Sequence, residues 1–476
     1  MLSRIVRHEW RGLAADATVW IVAGVFAVAI GYGVWNGARA VGFQHRALAE
    51  AAAEEASRLA GISAQLMSLK QPGAQIAPFA DPRSPSNFGG RYGLRYAMLP
   101  PGPLAALSIG QSDLLPHYFK ISTDARENIV SASEIENPAR LLAGRFDLSF
   151  VVIYLYPLLI LALTYNMLSA EKEQGTLAIA LSQPIGLDTL LAGKVALRSL
   201  IIIGAIVLFS IAALVVSGAS LTPGSGIRVL MWVGAVAAYG LFWFALASAV
   251  VSSGWNSTTN ATILATAWLV LVVMTPSLFN LVVTLVYPVP SRVEMVQAMR
   301  EASDEANKAG SSALARYYED HPELATGDPA QAMNDFNIVR VAVNDDVERR
   351  VRPVVDRYEA QIAAQQRALD RLRFLSPAIL MQGALNDVAG TGTDRHRHFL
   401  GQVDEFHAAW RAHFVSMIFS KAVVQSVDEA PRFVYQEETL AMVASRVAKT
   451  IAGLLIPSAA IAWYGWRRVR RFPIVT

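Results

Sequence analysis

Six stretches of the chain, residues 18–36, 148–168, 199–217, 230–251, 261–287 and 447–466, are apolar almost without interruption. Each is about as long as a helix needs to cross a hydrocarbon core, roughly 20 residues. Pro157, Pro276 and Pro457 fall inside three of them, which such helices tolerate where neighbours satisfy the carbonyl that proline frees. The pattern predicts an all-α membrane protein with six transmembrane helices.

Two longer stretches, 38–147 and 288–446, hold more than half of the 476 residues. In the first, Leu48, Ala52, Leu59, Ile62, Leu66 and Leu69 recur at helical spacing, and no proline separates them from the first apolar stretch. A Pro/Gly-rich run from Pro72 to Pro103 reads as loop. In the second, residues 291–318 read as helix until His321-Pro322 and then 327–329 break the pattern. Another helix is expected from Pro353, a good first-turn residue, with Val355, Tyr358, Ile362, Leu369 and Leu372 on one face. The two insertions are expected to pack together as one large, mostly helical domain. Within residues 1–17, Leu2, Ile5, Val6 and Trp10 alternate with Arg4, Arg7 and Arg11, the pattern of an interfacial helix.

Charge orients these elements. Arg467, Arg468, Arg470 and Arg471 open the tail 467–476, three arginines precede the first stretch, and Lys172, Lys194 and Arg198 lie between the second and third. Positive charge beside membrane ends marks the cytoplasmic face. Six spans then leave both termini in the cytoplasm of a bacterial inner membrane and make the two insertions extracytoplasmic. The first stretch is longer than a signal-peptide core and is expected to stay as an anchor. At 53% hydrophobic and 17% charged residues, the composition suits a membrane protein with sizeable aqueous parts. The absence of cysteine excludes disulfides, thiolate metal sites and cysteine nucleophiles. A net charge of +3 gives no reason to expect a nucleic-acid partner. No Asp, Glu, Lys or Arg sits near the centre of a span, which disfavours a proton-driven carrier.

The chemistry-bearing motif lies at 169–198. It contains Glu171, Glu173, Gly175, Thr176 and Leu177, then Leu181, Ser182 and Pro184, then Gly193 and Lys194. A short amphipathic helix over 171–180, with its carboxylates and Gln174 turned outward, is the local expectation, and Pro184 stops it. By itself this is also what an ordinary charged loop looks like. The combination, set between the second and third spans, closely resembles the coupling segment of ABC transporter type-2 permeases. Residues 137–147 with Tyr154-Leu155-Tyr156-Pro157, and 374–378 through 389–392, resemble a subfamily with large extracytoplasmic insertions. That subfamily is loosely similar to nitrous-oxide-reductase maturation permeases. The resemblance implies a permease subunit that works as a homodimer or with a related paralogue and docks on separate ABC ATPase subunits. ATP and magnesium would bind there, with no cofactor in this chain. Export from cytoplasm or inner leaflet is the direction it implies.

Consistent with that division of labour, no phosphate loop is present. Gly186 to Gly193-Lys194-Val195 has the wrong glycine spacing and lacks the hydroxyl residue that meets magnesium. The chain is therefore not expected to be an enzyme. A second reading is mechanotransmission, in which the extracytoplasmic domain acts on a periplasmic partner and no substrate crosses. His396, His398 and His407, near Asp394 and Asp404, are weak candidates for a metal site, against the plainer expectation of a solvated helix face. Gly33-x-x-x-Gly37 suits close helix approach, as a dimer contact or as simple punctuation.

Overall fold

The first apolar stretch does not end where the membrane pattern ends. In a computed structural model describing residues 2–71, 76–126, 146–183, 186–216, 223–288, 292–325 and 333–472, helix α1 (Leu2–Ala15) is followed by α2 (Ala17–Ser68), a single helix of 52 residues. Asp16 caps its start by accepting from the Thr18 amide. The apolar stripe of the second half thus continues the first span, with Leu59, Ile62 and Leu66 buried.

Among the described residues, six helices are long and apolar enough to cross a membrane: α2, α3 (Leu148–Glu173), α5 (Leu187–Val216), α6 (Pro223–Val251), α7 (Ser257–Val286) and α12 (Leu440–Val469). They match the six expected stretches, with α5, α6 and α12 each beginning seven or more residues earlier than hydropathy indicates. Between α3 and α5 lies the short α4 (Thr176–Leu181). Helices α3 and α6 are central, with 56% of their apolar windows buried, against 17% in α2 and 11% in α7. Their interface is aromatic: Tyr156 from α3 packs with Trp232, Tyr239 and Trp243 from α6, all fully buried. Tyr239 also solves a backbone problem. Pro157 has no N–H to offer the carbonyl four residues back, and the Tyr239 hydroxyl donates to that Ile153 oxygen at 2.9 Å. A π-helical turn, Val151–Leu155, frees further carbonyls, one of which (Tyr154) accepts from the Trp268 indole at 3.1 Å.

The remaining helices are α8 (Arg292–Asp320), α9 (Phe336–Leu372), α10 (Pro377–Ala389) and α11 (Thr393–Phe419). α8 and α9 form a hairpin closed by Ala302, Ala306 and Ala313 against Val343, Val347, Val351 and Val355. The expectation that a helix begins at Pro353 is corrected: α9 starts at Phe336 behind an Asp335 cap and passes through Pro353. Valines on both sides of the proline, buried against α8, hold the helix across the one lost hydrogen bond.

The Pro/Gly-rich run is also not all loop. Its residues Arg95–Met98 form β1, which pairs antiparallel with β2 (Tyr118–Ile121) in the register Arg95↔Ile121. The far half of α2, this hairpin, α11 and residues 424–430 share one core containing Phe119, Phe399, Trp410 and Phe414. The two insertions therefore pack together, as expected. Pro72, residues 137–145, Pro184, Ser217, residues 327–329 and the tail from 473 lie outside the described residues.

The Gly33 and Gly37 pair packs within the chain. A Cβ at Gly37 would lie 2.0 Å from the Ala106 carbonyl oxygen, and one at Gly33 would lie 2.8 Å from the Asp147 backbone. Backbone cannot retreat as a flexible side chain can. Gly37→Ala should therefore lower stability by about 1–3 kcal/mol, read as the thermal midpoint of the purified chain. An unchanged midpoint would mean that the contact is not made.

Candidate functional site

The segment 169–194 is folded by its own glycine. Gly175 has φ +73° and nothing within 4 Å of a built Cβ, so the requirement there is conformational rather than steric. It breaks the expected single helix into Ser169–Glu173, the end of α3, and α4. Leu177 turns inward onto Met167, Leu168, Leu190, Leu191 and Phe472. Exposed along the outer side are Gln174, Thr176, Ala178, Ile179 and Ser182, with Ile179 as much as 69% exposed.

Both carboxylates are engaged within the chain, Glu173 from the exposed position expected of it and Glu171 from a half-buried one. Glu171 Oε1 accepts from Lys194 Nζ at 2.5 Å, and the same ammonium donates to the Met167 carbonyl at 2.9 Å. Lys194 also lies 3.8 Å from Glu9 of α1. Glu9 is held in turn by Arg198, whose Nε donates at 2.8 Å. Glu173 accepts from the Ser257 amide at 2.7 Å and from its hydroxyl at 3.0 Å, at the first residue of α7. Lys172 donates to the Gly254 carbonyl at 3.2 Å. The segment is thereby wired to α1, α5, α7 and the loop after α6 at once. Gly193 is buried in the first turns of α5, where Lys194 needs an inward face. Asn260, fully buried, completes the wiring by donating to the Tyr165 carbonyl. Nothing in the local sequence marked it.

A second concentration of charge sits where α6, α10, α11 and α12 meet. Arg228 of α6 donates to the Asp387 and Val388 carbonyls at the end of α10. Arg395 of α11 grips Glu437 with two hydrogen bonds and donates to Pro100 and Gly390 carbonyls. Arg446 of α12 pairs with Glu438 and approaches Asp387 and Asp394. Burial pushes the Asp387 carboxyl up to about 6, more than the nearby Arg446 can offset. Glu437, 36% exposed, is partly desolvated, but Arg395 holds it below the ordinary carboxylate range. α10, α11 and the extended chain leading to α12 are tied to α6 at this junction.

A family model described as a domain of unknown function (DUF3526) matches residues 292–436. No curated protein matches the chain. The DUF3526 region thus begins at α8 and ends one residue before Glu437.

The histidines of the DUF3526 region do not converge. His398 donates from Nε2 to the Gln436 carbonyl and His407 from Nε2 to the Asp124 carbonyl. His396 is half-buried, with its Nδ1 atom buried and lacking a partner. Among the described residues, no group of three or more His, Asp or Glu is arranged to hold a metal ion. His396 instead makes stability depend on pH. Burial, with His117 and Arg395 nearby, holds its pKa down at about 4 against an ordinary 6.5. An unfolded chain therefore takes up this proton first. Stability is complete above pH 6.5 and is lost as the pH falls from 6.5 towards 4, by on the order of 2–3 kcal/mol. His396→Gln should flatten that acid limb in a series of thermal melts. An acid limb of unchanged slope would show that His396 is not the group responsible.

Proposed function

We propose that this chain is the membrane-spanning permease subunit of an ATP-driven ABC transporter. It would sit in the bacterial inner membrane with both termini cytoplasmic, paired with a second permease chain and two ATPase subunits. The insertions, including the DUF3526 region, then form an extracytoplasmic domain, and export is the direction of transport. The observation that carries this reading is the segment 169–194. Its residue pattern resembles the coupling segment of type-2 permeases. Its shape suits the task too, because Gly175 and Leu177 present Thr176, Ile179 and Ser182 on a short, rigid outer face. Glu171 behind that face and the exposed Glu173 beside it tie it to the spans, so a push on Ile179 reaches α1, α5 and α7 together.

Vanadate-sensitive ATP hydrolysis by the chain purified from its host, with whatever copurifies, tests this. Ile179→Asp touches only the exposed face. It should reduce copurifying ATPase by at least about tenfold, as loss of a buried interface anchor does, while the unfolding midpoint stays put. Absence of any nucleotide-binding protein from the wild-type preparation would sink the proposal.

A second reading, mechanotransmission without substrate passage, is favoured by a specific observation. The centre of the span bundle is filled by Tyr156, Trp232, Tyr239 and Trp243, and the span α2 runs unbroken into the outer domain. In that reading ATP hydrolysis moves the domain, which acts on a periplasmic partner. A purified complex that hydrolyses ATP and moves its outer domain, while its span bundle stays impermeable to solutes, would select it.

A further inference from the structure

The end of α12 and the turn that follows it have two unlike sides. At about 100° per residue, Gly465, Val469 and Phe472 fall on one of them, and all three are packed inward. A Cβ at Gly465 would lie 2.9 Å from the Ala249 backbone. Val469 and Phe472 enter the core that holds Met167, Leu168 and Leu177. That packing fixes the rotation of the helix end. The opposite side, carrying Trp463, Trp466, Arg467, Arg470 and Arg471, is therefore exposed.

This outward side changes character along the axis. Ile456, Ala459 and Ala460 are exposed and apolar. The first indole, Trp463, stands about 10 Å beyond Ile456, and the guanidinium groups follow one turn later. Each of three arginines lies over the ring four residues before it. Arg467 is 3.7 Å from the Trp463 ring centre, Arg470 is 4.1 Å from that of Trp466, and Arg468 is 5.5 Å from that of Tyr464. A stacked guanidinium uses its flat face and keeps the N–H groups in its plane free. Arg468 donates from Nε to the Tyr464 hydroxyl at 3.0 Å. The side chains of Arg467, Arg470 and Arg471 have no hydrogen-bond or ion-pair partner among the described residues. No acidic residue follows Glu438 in the sequence, and Glu171 and Glu173 meet Lys194 and Ser257 instead. Arg467 is three positions from Arg470 and four from Arg471, so all three are neighbours on the helix surface. Their free N–H groups can converge on one anion.

We propose that this side of α12 is a binding site for an anionic phospholipid. The lipid phosphate accepts from Arg467, Arg470 and Arg471, its ester region lies at Trp463 and Trp466, and its acyl chains run along Ile456, Ala459 and Ala460. The order apolar, aromatic, cationic along one face is the order of a phospholipid from tail to headgroup. A choline or ethanolamine head would bring its own cation against three uncompensated guanidinium groups, so the head carries net negative charge. A nucleic acid would meet the arginines but leave the apolar part of the face uncovered. The site rests on α12 lying in a bilayer and on no ATPase or transport step.

Native mass spectrometry of the full chain tests the proposal without nucleotide. The chain is released from micelles holding equal phosphatidylglycerol and phosphatidylcholine with the same acyl chains. Retained phosphatidylglycerol should exceed phosphatidylcholine by on the order of tenfold, from arginines each worth roughly fivefold at an anionic surface. Arg467→Ala/Arg470→Ala should bring the two lipids near parity while helical content and unfolding midpoint stay put, because both side chains are exposed. Arg467→Lys/Arg470→Lys keeps the charge but not the planar fork, and should lose more than half of the preference. Trp463→Leu, which removes the ring beneath Arg467, should lower it severalfold. Glycerol phosphate or a short oligonucleotide at the lipid's concentration should not displace the lipid. The proposal is overturned by equal retention of both lipids on the wild-type chain, by a wild-type preference in any of the three variants, or by displacement with either soluble competitor.

Discussion

Replacing Lys194 with methionine should cost the fold on the order of 3–5 kcal/mol, the usual result of removing one partner from a buried ion pair. The Lys194 side chain is only 5% exposed and serves Glu171, the Met167 carbonyl and, at longer range, Glu9. Without the ammonium, Glu171 is left with a buried Oε1 that has lost its donor, beside an Oε2 that already lacks one. Methionine fills much the same volume, so the loss measures charge rather than a cavity. The double variant Lys194→Met/Glu171→Gln should recover a substantial part of it, because the stranded negative charge goes too. Equilibrium unfolding of the purified chain reads both values. A single variant within about 1 kcal/mol of wild type would place the pair in solvent, at the value of a surface ion pair.

Arg395→Ala should be comparably damaging, again about 3–5 kcal/mol, and Arg395→Lys should recover less than half. The guanidinium is 4% exposed and uses its planar fork in a way that an ammonium cannot copy. Two donors meet both oxygens of Glu437 at 2.8 and 2.7 Å, and a third nitrogen reaches the Pro100 and Gly390 carbonyls at 3.1 and 3.2 Å. Four segments are thereby fixed by one side chain: the loop after β1, the end of α10, the start of α11 and the approach to α12. Unfolding midpoints of the two variants decide the matter. If lysine matched arginine, the site would need only a positive charge, and the bidentate geometry would have no energetic role.

The six long apolar helices were legible because a run of about 20 apolar side chains has few other uses. Their limits were less so: α12 begins at Leu440, where Ser445, Arg446 and Lys449 still dilute the hydropathy. The hairpin of β1 and β2 was not legible, since each strand is four residues long and lies among turns. α9 was misread at its start because proline is a break in local statistics, and the valine packing that overrides it belongs to another helix. In the segment 169–194 the pattern singled out residues but not where they point. Glu9 and Arg198 are 189 positions apart, and Glu173 meets a residue 84 positions on, so no local rule pairs them.

The length of α2 has a mechanical consequence. From Gly37 to Ser68 the helix extends about 47 Å beyond its apolar part, with no proline or proven kink to act as an elbow. A lever arm of that length turns a tilt of about 10° at its base into a swing of about 8 Å at its tip. Leu59, Ile62 and Leu66, near that tip, are packed into the same core as Phe399 and Trp410. A small reorientation of the apolar half of α2 is therefore amplified before it reaches this core, and α11 must travel with it or lose its packing.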